Sequence, residues 1–258
     1  MKMKKPHILV TNDDGYTAPG ILKLVAIMQE LGDVTVVAPE EPMSGAGHAI
    51  TVRNPLRLKK RSEENGLEVW SCRGTPVDCV KLGEQIVLRK KPDLLVSGIN
   101  HGSNAAVNIV YSGTMGAVLE STISGIPSIG FSLCDYRHDA DFSKVDKYIR
   151  KICMEVLEKG LPERTCLNVN IPAVNGADIK GIKVCSQANA RWVEEYDERK
   201  DPANRDYYWL TGKFELLDER KETDEAALRD NYVSVVPVHY DLTAHHAMEH
   251  LHKFDLDV

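Results

Sequence analysis

Short continuous apolar runs rich in β-branched residues alternate, through the first two-thirds of the chain, with segments whose apolar positions recur at helical spacing. Ile8-Leu9-Val10-Thr11 reads as a buried strand. Gly20 to Leu31 reads as a helix closed by Gly32, and Val34 to Ala38 as a second strand ending at Pro39. β-rich stretches are expected at Ala49 to Leu58 and at Leu67 to Cys72. Thr75 and Pro76 open a helix whose apolar face holds Val80, Leu82, Ile86, Val87 and Leu88. Then come a strand at Asp93 to Ser97, a helix at Thr114 to Ser124, a strand at Ser128 to Phe131 and an amphipathic helix at Phe142 to Lys159. This alternation predicts a doubly wound α/β fold with a mostly parallel sheet covered on both faces.

After Pro172 the rhythm changes. Ile182-Lys183-Val184 and Tyr232 to Val238 read as strands, and Ala244 to Phe254 as a closing helix. Between them, Trp192 to Asp230 is crowded with charges around Tyr207-Tyr208-Trp209-Leu210. This stretch is either a solvated hairpin or an arm whose aromatics pack on another subunit. Without an internal repeat or linker, residues 1–258 read as one α/β domain with 192–230 as a protruding appendage.

The balance of 32 basic against 38 acidic residues leaves a net charge of -6, which argues against a nucleic acid polymer as partner. No apolar run approaches the roughly 18–20 residues that span a bilayer. The basic start Met1-Lys2-Met3-Lys4-Lys5 meets only a short apolar segment, so the expected location is cytoplasmic, away from membranes. The six cysteines are scattered among apolar neighbours and read as buried hydrophobes.

Candidate chemistry lies in the loops after strands, where open parallel sheets bind ligands. Thr11-Asn12-Asp13-Asp14-Gly15 places adjacent carboxylates after the leading strand, as a helix-capping turn or as a cation site that offsets their repulsion. Ser44-Gly45-Ala46-Gly47-His48 lets backbone amides and a hydroxyl approach a ligand; His48 serves either a structural hydrogen bond or proton transfer. Ser97-Gly98-Ile99-Asn100-His101-Gly102-Ser103-Asn104 carries two asparagines, and Tyr111-Ser112-Gly113-Thr114 opens a helix as an anion site or an ordinary cap. Together they supply oxygen donors suited to Mg²⁺ or Mn²⁺. The competing group, His245, His246, His250 and His252, lacks an acidic partner motif and reads as a solvated helix.

At these same motifs, and at Gly74-Thr75-Pro76-Val77-Asp78, the sequence resembles the SurE family, the stationary-phase survival protein E nucleotidases. Val77 and Met115 depart from the residues common there. The resemblance implies a metal-dependent phosphatase acting on nucleoside 5′- and 3′-monophosphates and trimming short polyphosphate, with one divalent cation per subunit. It selects Asp13, Asp14, Ser44 and Asn100 as metal ligands, Asp13 and Asp14 being catalytic, and Asn104, Ser112, Gly113 and Thr114 as the phosphate cradle. It implies a homodimer or homotetramer exchanging the arm. The attacking group would be water or Asp13 itself. Thr114→Val is expected to weaken substrate handling while sparing metal binding. Two rivals stay open: a nucleoside hydrolase cleaving the glycosidic bond, and a nucleotide sensor without turnover.

Overall fold

A computed structural model of the chain describes residues 5–137, 139–173 and 178–255; the basic start at residues 1–4 lies outside them. In chain order the elements are β1 (His7–Thr11), α1 (Pro19–Leu31), β2 (Asp33–Pro39), β3 (Leu58–Glu64), β4 (Leu67–Cys72), α2 (Pro76–Leu82), β5 (Leu94–His101), α3 (Gly113–Ile123), β6 (Ser128–Cys134) and α4 (Asp146–Lys159). There follow β7 (Thr165–Pro172), β8 (Ile182–Val184), β9 (Ala190–Lys200), β10 (Asp206–Leu216), α5 (Asp224–Arg229), β11 (Val233–His239) and α6 (His245–Leu251). A π-helical turn, Gly83–Leu88, extends α2, and a 3-10 turn, Ala106–Tyr111, precedes α3.

Among the described residues, nine strands form one sheet in the order β3-β4-β2-β1-β5-β6-β7-β11-β8. The six from β4 to β7 are mutually parallel; β3 and β11 run antiparallel to their inner neighbours. The chain winds outward from β1 in one direction and from β5 in the other, so the winding switches between these two central strands. Strand periodicity divides the core. Ile8, Val10, Leu94 and Val96 face α1 and α4 on one side, whereas Leu9, Val37 and Leu95 face α2 and α3 on the other.

The sheet differs from the sequence expectation at two places. The predicted β-rich stretch Ala49 to Leu58 forms no strand; residues 49–57 run irregularly and the strand occupies Leu58–Glu64 instead. Pro55 cannot donate to a ladder, and Ile50 and Val52 lie exposed with no sheet to cover them. The segment is held by side chains: Asp78 accepts from the Thr51 amide at 3.1 Å, and the Thr75 hydroxyl donates to the Ala49 carbonyl at 2.7 Å. Conversely, β7 is a fully developed inner strand that the apolar pattern does not single out, because Asn168 and Asn170 interrupt it.

Thr75 caps α2 as foreseen, its hydroxyl accepting from the Asp78 amide while Asp78 accepts from the Thr75 amide. The amphipathic helix begins at Asp146 rather than Phe142, and the closing helix shortens to His245–Leu251. Within the charged excursion, β9 and β10 pair as a separate antiparallel hairpin from Ala190↔Leu216 to Lys200↔Asp206. Its later part turns back into the body, where Asp224, Ala226 and Ala227 of α5 are buried.

Candidate active site

The switch between β1 and β5 opens a crevice at their carboxyl ends, and it is there that the polar loops meet. A cleft of about 280 Å³ is lined by Asp13, Ser44, Asn100, Asn104 and Ser112 from the sequence-predicted set. Asp14, Gly113 and Thr114 flank it without forming its wall.

Asp13 is only 4% exposed. Its Oδ1 accepts the Thr114 hydroxyl at 2.6 Å, and its carbonyl accepts the Met43 amide at 2.7 Å, tying the Ser44 loop to β1. Burial pushes its carboxyl pKa up to about 6; the Thr114 hydroxyl opposes that rise and the Asp14 charge adds to it. Helix α3 approaches so closely that a Cβ on Gly113 would stand 2.9 Å from the Asp13 Cβ, so only glycine admits the carboxylate beside the helix start. Burial also raises the Asp14 pKa, against the opposing influence of His101.

Among the described residues, four buried oxygens at the ends of β1 and β5 have no hydrogen-bond partner: Thr11 Oγ1, Asn12 Oδ1, Asp14 Oδ2 and Ser97 Oγ. Orphaned buried acceptors are costly unless something electropositive meets them. Asn100 commits its amide nitrogen to the Gly102 carbonyl at 2.9 Å, leaving its carbonyl oxygen as what it can offer. Among the described residues no cluster of three or more His, Cys, Asp or Glu side chains converges, so a cation here must draw on Ser and Asn oxygens as well as the two carboxylates. That donor set fits a hard divalent ion.

The cradle residues divide in two. Ser112 caps α3, its hydroxyl accepting from the Met115 amide at 3.1 Å. The Thr114 hydroxyl is wholly buried and engaged by Asp13, so it acts on the carboxylate before it can act on a ligand. Asn104 is held from three sides. Its amide donates to Asn170 Oδ1 at 2.8 Å, its carbonyl accepts from Asn168 Nδ2 at 2.8 Å, and its Nδ2 donates to the Ser132 hydroxyl at 2.9 Å. Asn170 in turn donates to Asn168 at 3.1 Å, so the asparagines that interrupt β7 are the clamp.

His48 stands outside the cleft, 3.0 Å from Glu120, which also pairs with Lys81. Burial works to raise the Glu120 pKa, but these two partners outweigh it and the net shift is downward. His245, His246 and His250 lie on exposed α6 and His252 follows its end, with His245 3.0 Å from Asp241. The cleft wall further includes His101, Ser103, Asn108, Tyr111, Tyr136 and Trp192, to which the sequence reading gave no role. His101 and Tyr111 sit inside the quoted motifs; Trp192, from the base of the hairpin, carries no local signal of its place in the site.

A doubly wound α/β protein with an oxygen-lined cleft at its switch point and a helix start beside paired carboxylates is the class that the fold and site define. The family model described as "Survival protein SurE" matches residues 8–194. The chain belongs to the SurE family. It is 57% identical over 256 residues to the 5'-nucleotidase SurE of Flavobacterium psychrophilum, covering 99% of this chain and 100% of that relative. It is 58% identical over 259 residues to that of Christiangramia forsetii, covering 100% of both. The crystal structure of the SurE protein from Aquifex aeolicus is similar at a TM-score of 0.81 and 41% identity, covering 95% of this chain and 98% of that one.

Proposed function

We propose that this chain is a metal-dependent phosphatase that hydrolyses nucleoside 5′- and 3′-monophosphates to nucleoside and inorganic phosphate, and that it also trims short polyphosphate. The observation that carries the reading is the convergence of Asp13, Ser44 and Asn100 in one cleft at the β1/β5 switch, beside the start of α3. Asp13, Asp14, Ser44 and Asn100 would hold one Mg²⁺ or Mn²⁺, a fit supported by the orphaned Asp14 oxygen and the oxygen-only donor set. When bound, such a cation supplies Lewis-acid polarisation and neutralises charge on the phosphoryl oxygens.

The remaining work falls to the chain. The start of α3 directs amides and the Ser112 hydroxyl toward an anion. Thr114 holds Asp13 through Oδ1, and the attacking group is a water that this carboxylate aligns or the carboxylate of Asp13. The Asn168–Asn170 clamp keeps Asn104 at the cleft wall. Positioning and preorganised electrostatics carry most of the rate in phosphoryl transfer. Among the described residues no helix is long and apolar enough to cross a membrane, and the reading places the enzyme in the cytoplasm, self-associated as a dimer or tetramer through β9 and β10.

The test is a phosphate-release screen of nucleoside 5′- and 3′-monophosphates and tripolyphosphate, with and without chelator. Chelation should abolish release and Mn²⁺ or Mg²⁺ should restore it. Full turnover in metal-free buffer, or release of free base from a nucleoside lacking phosphate, would sink the assignment.

A further inference from the structure

The 3-10 turn Ala106–Tyr111 delivers Ser112 to the start of α3. It begins at Ala106, a non-glycine residue at φ +50°, in the left-handed region that side chains disfavour. Ala106 is wholly buried, and both of its backbone groups are taken by side chains from distant segments. Its amide donates to Asp224 Oδ2 at 2.8 Å, and its carbonyl accepts from Gln187 Nε2 at 2.9 Å.

Asp224 is itself wholly buried, and a carboxylate out of water is unfavourable unless donors meet it. Here three backbone amides do: Ala106 on Oδ2, and Ala188 at 2.9 Å and Glu225 at 2.8 Å on Oδ1. Helix α5 does not require this carboxylate as its cap, since the Thr223 hydroxyl already accepts from the Ala226 amide at 3.3 Å. Ala188 leads into β9, and Ala106, Ala188 and Ala190 pack together against Phe214 and Leu216. One carboxylate thus joins α5, the foot of the hairpin and the turn beside the cleft. Backbone in a disfavoured conformation persists only where its surroundings over-determine it, and here they do so between Asn104 and Ser112.

We propose that Asp224, assisted by Gln187, is a positioning residue for the phosphate cradle; this rests on the phosphatase reading above. By holding Ala106 in its disfavoured conformation, it sets where the turn places Ser112 and the amides at the start of α3. The segment has little slack. Upstream, Asn104 is clamped by Asn168 and Asn170; downstream, the Tyr111 carbonyl accepts the Gly47 amide at 3.2 Å. Ala106 lies between these fixed points, so a change in its φ would redirect the whole turn. Asp13, Asp14, Ser44 and Asn100 all precede the turn, on β5 or in the loops after β1 and β2, so the clamp bears on the phosphate rather than on a cation. The hairpin, whose foot shares the carboxylate through Ala188, is tied into the same arrangement.

The experiment measures turnover of a nucleoside 5′-monophosphate, competitive inhibition by inorganic phosphate, and Mn²⁺ affinity by calorimetry, all on the full chain. Asp224→Asn keeps the shape but turns an NH₂ toward one of the amides. Gln187→Ala, at an exposed position, releases only the Ala106 carbonyl. KM and the inhibition constant for phosphate should rise about tenfold in the first variant and about fivefold in the second, more than kcat falls. Mn²⁺ affinity should stay as in the wild type. Ala106→Gly added to Gln187→Ala should recover most of the loss, because glycine adopts φ +50° readily. Unchanged KM and phosphate inhibition in both variants would overturn the proposal. So would Mn²⁺ affinity falling in step with phosphate affinity, or a double variant no better than Gln187→Ala. If Asp224→Asn does not fold, Gln187→Ala and its glycine partner decide. Failure of the phosphatase reading shows separately: the wild type then releases no phosphate, while calorimetry with inorganic phosphate in Mn²⁺ still separates the variants.

Discussion

At the ends of β1 and β5, polar side chains are buried: Asn12, Asp13, Ser97, Asn104 and Thr114 lie almost out of water. Along β9 and β10 the reverse holds, and Tyr196, Tyr208, Trp209 and Leu210 stand in it, Trp209 at 59% exposure. Each region departs from the ordinary preference for apolar interiors and polar surfaces, in opposite senses. Buried polar groups are tolerated where partners satisfy them, and those left unsatisfied at the crevice mark where a ligand belongs. Exposed apolar groups are tolerated when a second surface covers them. The first departure faces inward at the crevice, the second outward along the hairpin.

The comparison is tested hardest at Asp14. Asp14→Asn keeps the shape of the side chain and removes a charge, so cation affinity and phosphate release should fall by about a hundredfold or more in a metal titration and coupled phosphate assay. Thermal stability without metal should hold or rise, because burial already disfavours this carboxylate and its Oδ2 has no donor to lose. A marked fall in melting temperature would mean that Asp14 is a structural residue and that the crevice is not built around a ligand.

Thr114→Val should act next most strongly. Because its hydroxyl is spent on Asp13 at 2.6 Å, the substitution strips the carboxylate of its orienting donor. Metal affinity is expected to drop together with turnover, by roughly tenfold, as for groups that support a ligand from behind. The sequence reading expected metal binding to be spared. Calorimetry with Mn²⁺ separates the two outcomes.

Asn170→Ala should weaken the site less and the fold more. It leaves the buried Asn104 amide and an Asn168 oxygen without partners, a loss of about 1–3 kcal/mol visible in urea unfolding. KM should rise as Asn104 loosens. If KM is unmoved while stability falls, the clamp serves the sheet alone.

How much of this was legible follows from where the determining contacts lie. The order of strands and helices, the caps at Thr75 and Ser112 and the loops that meet at the crevice are written locally, in apolar period and turn chemistry. Three things were not. The stretch Ala49 to Leu58 has the composition of a strand but no neighbour to pair with, a fact of the whole sheet. Strand β7 hid behind Asn168 and Asn170, whose polarity makes sense only once Asn104, far earlier in the chain, is seen between them. Trp192 and Tyr136 reach the cleft through contacts with Asn108, Gly102 and Ser103 that no spacing announces.

The smallest effect on turnover, and the one that isolates the other half of the comparison, comes from shortening the hairpin. Deleting residues 197–209 and joining the register partners Tyr196 and Leu210 through Asn-Gly provides a tight turn where the strands already face each other. The excision removes Tyr207, Tyr208 and Trp209 but retains the opposed pair Trp192 and Phe214, and with it the wall of the crevice. The exposed ion pairs lost with the tip, such as Arg199 with Asp197, contribute about 0–1 kcal/mol each, so the melting temperature of the body should hardly change. If exposed aromatics on this arm serve assembly, light scattering at micromolar concentration should show a shift toward monomer while each subunit still turns over nucleotide. An unchanged mass would remove the assembly role. A lost activity at unchanged mass would instead place the tip, and not only Trp192, in the working site.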